Sequence, residues 1–213
     1  MRPNYARARQ QKRAHYDDAT VRDILSGGLV GHVGFIAEGR PMVIPMAYAL
    51  VDDTLYLHGA SKTRLALLDA TPLCLTVTHL TGIVAARSAF HHSVNYRSVV
   101  VHGLARRVEG EEFDMALNAI TEHLLPGRIS EVRPMSEQER KATGVVALDI
   151  EYASAKVRTG PPVDDDSDLT LGLWAGVIPV TTALGTGVQD AHTPAGVPAP
   201  PSVGEARRKF SGA

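Results

Sequence analysis

Val21, Ile24 and Leu25 recur at the spacing of one helix face, with Asp17 or Asp18 placed to cap its start and Gly27-Gly28 to stop it. Three extended runs follow: Val30 to Ile36, Met42 to Val51 and Thr54 to His58. Glu38-Gly39-Arg40 and Asp52-Asp53 separate them at hairpin spacing, which predicts an antiparallel meander. Pro45 interrupts the second run and marks an edge, a bulge or a place where the backbone faces something other than a strand. Ser61 to Ala70 reads as a helix with Ser61 as its N-cap and Leu65 and Leu68 on one side, ended by Pro72.

Leu73 to Leu80 and Ser98 to Glu109 have strand character, and Ala86 to Asn95 between them has no period. At that length it reads as functional rather than as a plain connector. Glu111 to Leu125 is the best-formed helix, with Phe113, Leu117, Ile120 and Leu124 on one face. Gly144 to Val157 alternates as a final long strand. Antiparallel strands with inserted helices give a mostly β, α+β plan, a β-barrel rather than a doubly wound sheet.

After Gly160-Pro161-Pro162 comes an acidic stretch, Asp164 to Asp168, expected to be a solvated turn. A Pro- and Gly-rich tail over Ala183 to Gly204 is expected to be loosely ordered. The expected division is a basic arm over 1–16, solvated and partly mobile, one domain over 17–180, and the tail over 181–213.

With 213 residues, 44% of them hydrophobic, the chain suits one core; a net charge of -1 gives no sign of a nucleic-acid partner. The single cysteine, Cys74, allows no internal disulfide and cannot build a thiolate zinc site. No stretch has the length of a membrane span and the first residues lack a secretory core, so a cytoplasmic location is the expectation. Gly-x-Gly-x-x-Gly after a strand, the phosphate-loop pattern and a Gly-x-Ser-x-Gly elbow are all missing. Adjacent histidines on a strand point to opposite faces, so His91-His92 chelates a metal poorly unless its loop bends.

The chemistry concentrates after the third run. Its end at His58, the small-residue turn Gly59-Ala60-Ser61 and the cations Lys62 and Arg64 in a first helical turn together suit an anion. Positive charge at a helix start opposes the dipole, which an anion would offset. Equally, both side chains can extend into water, where the penalty is roughly some tenths of a kcal/mol.

The run LYLHGASKTRLALL (Leu55 to Leu68) resembles the phosphate-holding strand–turn–helix of the FMN-binding split barrels of the pyridoxamine-phosphate-oxidase-like family. GHVGFIAEGRPMVIPMAYAL (Gly31 to Leu50) resembles that family's opening hairpin, and HHSVNYRSVVVHGLARRVE (His91 to Glu109) its loop and central strand. KVRTGPPVDD (Lys156 to Asp165) and WAGVIPV (Trp174 to Val180) are similar to the end of the branch containing nitroimidazole-resistance-type reductases. The full basic set for a pyridoxamine-phosphate substrate is missing.

The resemblance implies a homodimer with FMN at its interface. His58, Gly59, Ala60, Ser61, Lys62 and Arg64 would surround the phosphate. Pro45, Met46, Ala47 and Tyr48 would lie along the isoalloxazine ring, with the Met46 and Ala47 amides on its carbonyls. Arg97 or Ser98 would reach in across the dimer, and Trp174 would pack against the second subunit. The implied activity is oxidoreduction of a small molecule, nitro compounds or other electron-poor aromatics, with no side-chain nucleophile. The alternative is a non-catalytic protein on the same fold that holds flavin, deazaflavin or haem, with His91, His92, His58 or His102 as haem ligands.

Overall fold

The computed structural model describes residues 2–211. The opening arm is not a loose leader. Ala6 and Ala8 are buried, Arg2 donates to the Ala153 carbonyl at 2.5 Å, and β1 (Ala14–His15) pairs antiparallel with Ala155 and Lys156. Helix α1 (Asp18–Gly27) starts as expected, with the Asp17 carboxylate accepting from the Thr20 amide at 2.9 Å. Val21, Ile24 and Leu25 are buried, each contributing roughly 1.5–3 kcal/mol of apolar burial.

The strands β2 (Gly31–Ala37), β3 (Arg40–Met46), β4 (Tyr48–Val51) and β5 (Thr54–Ala60) are followed by a long hairpin, β6 (Thr71–Ala85) and β7 (Ser93–Arg107). Helix α2 (Gly110–Leu124) and a short α3 (Glu137–Ala142) precede β8 (Thr143–Asp149), β9 (Tyr152–Arg158), β10 (Gly176–Pro179) and α4 (Pro201–Lys209). The sheet order is β3-β2-β6-β7-β8-β5-β4, with β9 also on β7 and β10 on β6; every pairing is antiparallel.

Pro45 falls on β3, which ends the sheet order, the kind of strand on which proline is tolerated. The run read as one strand from Met42 to Val51 breaks at Ala47 into β3 and β4, which pair with different partners. The run read as one strand from Gly144 to Val157 likewise divides at Ile150-Glu151. Its two halves take successive stretches of the same β7 edge, β9 along Tyr96 to His102 and β8 along Ala105 to Arg107. At the handover, a Cβ on Gly103 would stand 2.1 Å from the Asp149 carbonyl oxygen, so only glycine fits.

Inside the barrel, Val33, Leu55, Leu57, Leu75, Val77, Val99, Val101 and Leu148 form the main core. A second cluster seats α2 on the back of β5 and β8 through Phe113, Ala116, Leu117 and Ile120 against Tyr56, Val145 and Ala147. The tail read as loose closes with α4, whose Ala206 and following Phe210 are buried. No helix among the described residues is long and apolar enough to cross a membrane.

Candidate functional site

Alternation along β5 sends Leu55 and Leu57 into the main core and Tyr56 into the cluster beneath α2; His58 shares the Tyr56 side. His58 is half-buried, its Nδ1 is shut from solvent without a partner, and burial holds the imidazole below its ordinary pKa. The helix expected over Ser61 to Ala70 does not form. The Ser61 amide donates to the Ala142 carbonyl at 2.8 Å and Thr63 closes a turn on Ala60, so Ser61 is no N-cap. Only a single 3-10 turn, Leu65–Leu67, follows, and β6 already begins at Thr71.

Lys62 and Arg64 therefore oppose no helix dipole. Both are exposed, and among the described residues neither pairs with a carboxylate. The turn is anchored by Leu65, buried in the main core, and by Ala66, which rests on bare backbone at Gly144: a Cβ there would stand 2.6 Å from the Ala66 Cβ.

Tyr48 faces Leu57 across β4 and β5. Pro45 and Met46 stay in the sheet on β3, opposite His32 and Gly31, and Ala47 alone links β3 to β4, one residue before the Tyr48–Leu57 pair. Pro45 and Ala60 are exposed, and Met46, Ala47, Gly59 and Ser61 half-buried. Among the described residues no strand covers the outer edge of β3, which leaves backbone groups along it open. Tyr48 leaves the set: it is fully buried and its hydroxyl donates to the Leu25 carbonyl. Burial also pushes its phenol pKa up.

Arg97 and Ser98 lie elsewhere. Counting across the ladder, Pro45 opposes His32, His32 opposes Thr76 and Thr76 opposes Val100, so β7 is three strands, about 14 Å, from β3. Arg97 is engaged by Asp23 of α1, which removes it as a free cation. Ser98, opposite Thr78 and Lys156, stays half-buried and uncommitted.

Two features escaped the sequence. A cleft of about 400 Å³ adjoins Ser61 and is lined by Arg107, Arg140, Lys141, Glu109, Glu137 and the first turn of α2. The adjacent Arg106-Arg107 was its only visible signal, because the capping box of α3, Ser136 with Glu139, went unread. The second is in the stretch expected to be a solvated acidic turn. The Asp164 side chain is 1% exposed and bonds the amide and guanidinium of Arg87 at 2.9 and 2.8 Å. Burial opposes its ionisation, but Arg87 more than offsets this and keeps the carboxyl below its ordinary range. This pair ties the 86–92 loop to the segment after β9. Within that loop His91 Nε2 lies 3.5 Å from Asp165, and His92 Nδ1 donates to the Ser88 carbonyl at 2.8 Å. Trp174 is 70% exposed. No cluster of three or more metal-ligating side chains occurs among the described residues.

Several solved structures are similar to this chain. The flavocytochrome Anf3 from Azotobacter vinelandii is 36% identical over 95% of this chain and 96% of its own, with a TM-score of 0.89. A FAD and haem binding protein from Mycobacterium smegmatis is 33% identical over 92% of this chain and 97% of its own, with a TM-score of 0.87. A 5-nitroimidazole antibiotic resistance protein from Bacteroides thetaiotaomicron shares the fold at 20% identity over 71% of this chain and 95% of its own, with a TM-score of 0.55. A search of curated proteins gave no match. The family model described as pyridoxamine 5'-phosphate oxidase matches residues 17–157, and the chain belongs to that family.

Proposed function

We propose that the protein is a flavin- and haem-binding redox protein, dimeric, that moves electrons between a reduced donor and a small electron-poor acceptor. The observation that carries the flavin half is the pair of exposed cations, Lys62 and Arg64, with no carboxylate partner among the described residues, on an anchored turn at the end of β5. A phosphate on that turn gains charge-assisted bonds, and the backbone of Pro45 to Ala47 offers a flat polar edge to a ring system. Ser98, on β7 three strands from β3, would join such a site from a second copy of the chain. When bound, the flavin supplies hydride and single-electron chemistry. The side chains hold and orient it.

Two relatives at 33% and 36% identity over nearly the whole chain support adding haem, and the name of one favours FAD over FMN. Nitroaromatics are the first acceptors to assay, given the fold shared with the resistance protein.

The test begins with the absorption spectrum of the purified protein, followed by acid release and chromatography of the cofactor. Flavin bands with a Soret band are expected, with FAD in the extract. FMN or a deazaflavin there would correct the cofactor, and neither chromophore after reconstitution would overturn the reading. Changing Lys62 and Arg64 together to Ala is expected to weaken flavin binding at least ~10-fold, since each charged phosphate contact contributes roughly 1.5–3 kcal/mol. Unchanged affinity removes the turn from the site.

A further inference from the structure

A haem iron takes the lone pair of a neutral imidazole, and the ring's other nitrogen is ordinarily held by a carbonyl or carboxylate. The chain has nine histidines, and three of them bond a backbone carbonyl: His79 to Ile24 at 2.9 Å, His92 to Ser88 at 2.8 Å and His123 to Gly28 at 2.6 Å. A carbonyl only accepts, so in each the bonded nitrogen carries the hydrogen and the lone pair sits on the other.

In His79 and His123 the bonded nitrogen is Nε2. Their lone pair is on Nδ1, next to the Cβ, where the main chain obstructs a porphyrin, and the Nδ1 of His123 is already occupied by Lys209 at 3.3 Å. His92 has the opposite arrangement. Its Nδ1 is tied down, its outermost atom Nε2 is uncommitted, and the residue is exposed.

Its surroundings are apolar and uncovered. Phe90, two residues earlier, is 88% exposed, the most of any aromatic side chain among the described residues. Val94, two residues later on the same alternate positions, opposes Ile83 on β6, which opposes Ile178 on β10; all three are exposed. The Trp174 ring stands against Gly176, whose β-ladder partner is Ala85 at the loop's other end. The Phe90 ring stands edge-on to His91 at 5.1 Å, so exposed apolar side chains precede and follow His92 in the chain, and the free nitrogen of that imidazole is its tip. Exposed apolar surface of this kind marks a binding site.

We infer that His92 Nε2 is the axial ligand of the haem, and that the porphyrin lies against the Phe90–Trp174 end of the β6–β7 hairpin. The assignment rests on the haem half of the proposed function and adds the residue and the place.

The test is titration of the purified full chain with haemin, followed by absorption and electron paramagnetic resonance spectra, on wild type, H92G, H92M and H91A. The wild type is expected to give a histidine-ligated spectrum. H92G is expected to bind haemin at least ~10-fold more weakly, in line with what loss of even an outer-shell metal contact costs. Added imidazole should restore its spectrum. H92M replaces nitrogen with sulfur at similar length; its Soret band and spin state should move, which keeps the question answerable if H92G folds poorly. H91A, whose ring faces Asp165, should match wild type. A wild type that takes up no haemin overturns the haem reading and the ligand together. A wild type that binds haemin, with H92G and H92M spectrally identical to it, overturns the ligand alone.

Discussion

Arg106 grips Glu112 with two bonds of 2.8 and 2.7 Å, and Tyr56 donates to the same carboxylate at 2.7 Å. These three residues come from β7, α2 and β5, so one carboxylate fixes the first turn of α2 over the end of the sheet and shapes the cleft beside Ser61. The Arg106 bonds hold the Glu112 carboxyl at about 2, below its ordinary 4.5, while burial and that carboxylate push the Tyr56 phenol up to about 12. A depressed carboxyl adds stability that is complete above its unfolded value and lost as pH falls through the folded one. The stabilisation from Glu112 should therefore disappear between pH 4.5 and about 2. Because the pair is partly exposed, solvent screening cuts its worth to roughly 1–2 kcal/mol at neutral pH. Glu112→Gln should lose about that much in denaturant unfolding at pH 7 and show a flatter acid limb; an acid limb as steep as wild type would mean the carboxylate is not the titrating group.

At the scale of elements, what the sequence revealed depended on whether a segment's structure is decided locally. Helix α1 carries its own cap and a complete apolar face, and α2 an uninterrupted one, so both were readable. Ser61 to Ala70 has a cap residue and leucines at helical spacing, yet its amide is claimed by Ala142, about eighty residues away. No local pattern records that competitor, and it decides the element. The breaks at Ala47 and at Ile150-Glu151 escaped for a similar reason, since a strand that changes partners keeps its alternation. The placement of the candidate residues was half legible: the exposure of Lys62 and Arg64 and the edge position of Pro45 could be read, while the engagement of Arg97 by Asp23 and the burial of Tyr48 required the fold. Gly144 shows how an element depends on a distant one. The turn bearing Lys62 and Arg64 packs on its bare backbone, so Gly144→Ala must shift Ala66 or β8. The expected result is weaker flavin binding without loss of the α2 cluster, measured by fluorescence titration alongside near-ultraviolet circular dichroism. Wild-type affinity in that variant would show that the turn's seating does not matter to the ligand.

Over the whole molecule, the last helix returns to the first two. Lys209 of α4 donates to the His123 carbonyl at 2.5 Å, Phe210 packs edge-on to the same ring at 6.0 Å, and His123 Nε2 reaches the end of α1 at Gly28. Tyr48, beneath the ring at 5.0 Å, is neutral, and no carboxylate of the described residues pairs with this imidazole. Composition alone could not announce this docking, because a nine-residue helix with Ser202 and Gly204 is stable only when held by its neighbours. Truncating the buried ring, Phe210→Ala, should cost about 3 kcal/mol. Burial, more than anything else, holds the imidazole below 6.5, and the Lys209 ammonium presses the same way. A histidine depressed in the folded state contributes stability that is complete above 6.5 and lost as pH drops toward its folded value, where the charged ring must face Lys209. His58 and His102 are depressed by burial with the same sign, so they leave a residual slope. Thermal unfolding should therefore fall in midpoint from pH 7.5 to 5.5 in wild type and fall less in His123→Gln, whose amide can still donate to Gly28 and accept from Lys209 without titrating. Equal slopes in the two proteins would separate the docking of α4 from the protonation of His123, and leave the packing of Phe210 as what holds the chain's end in place.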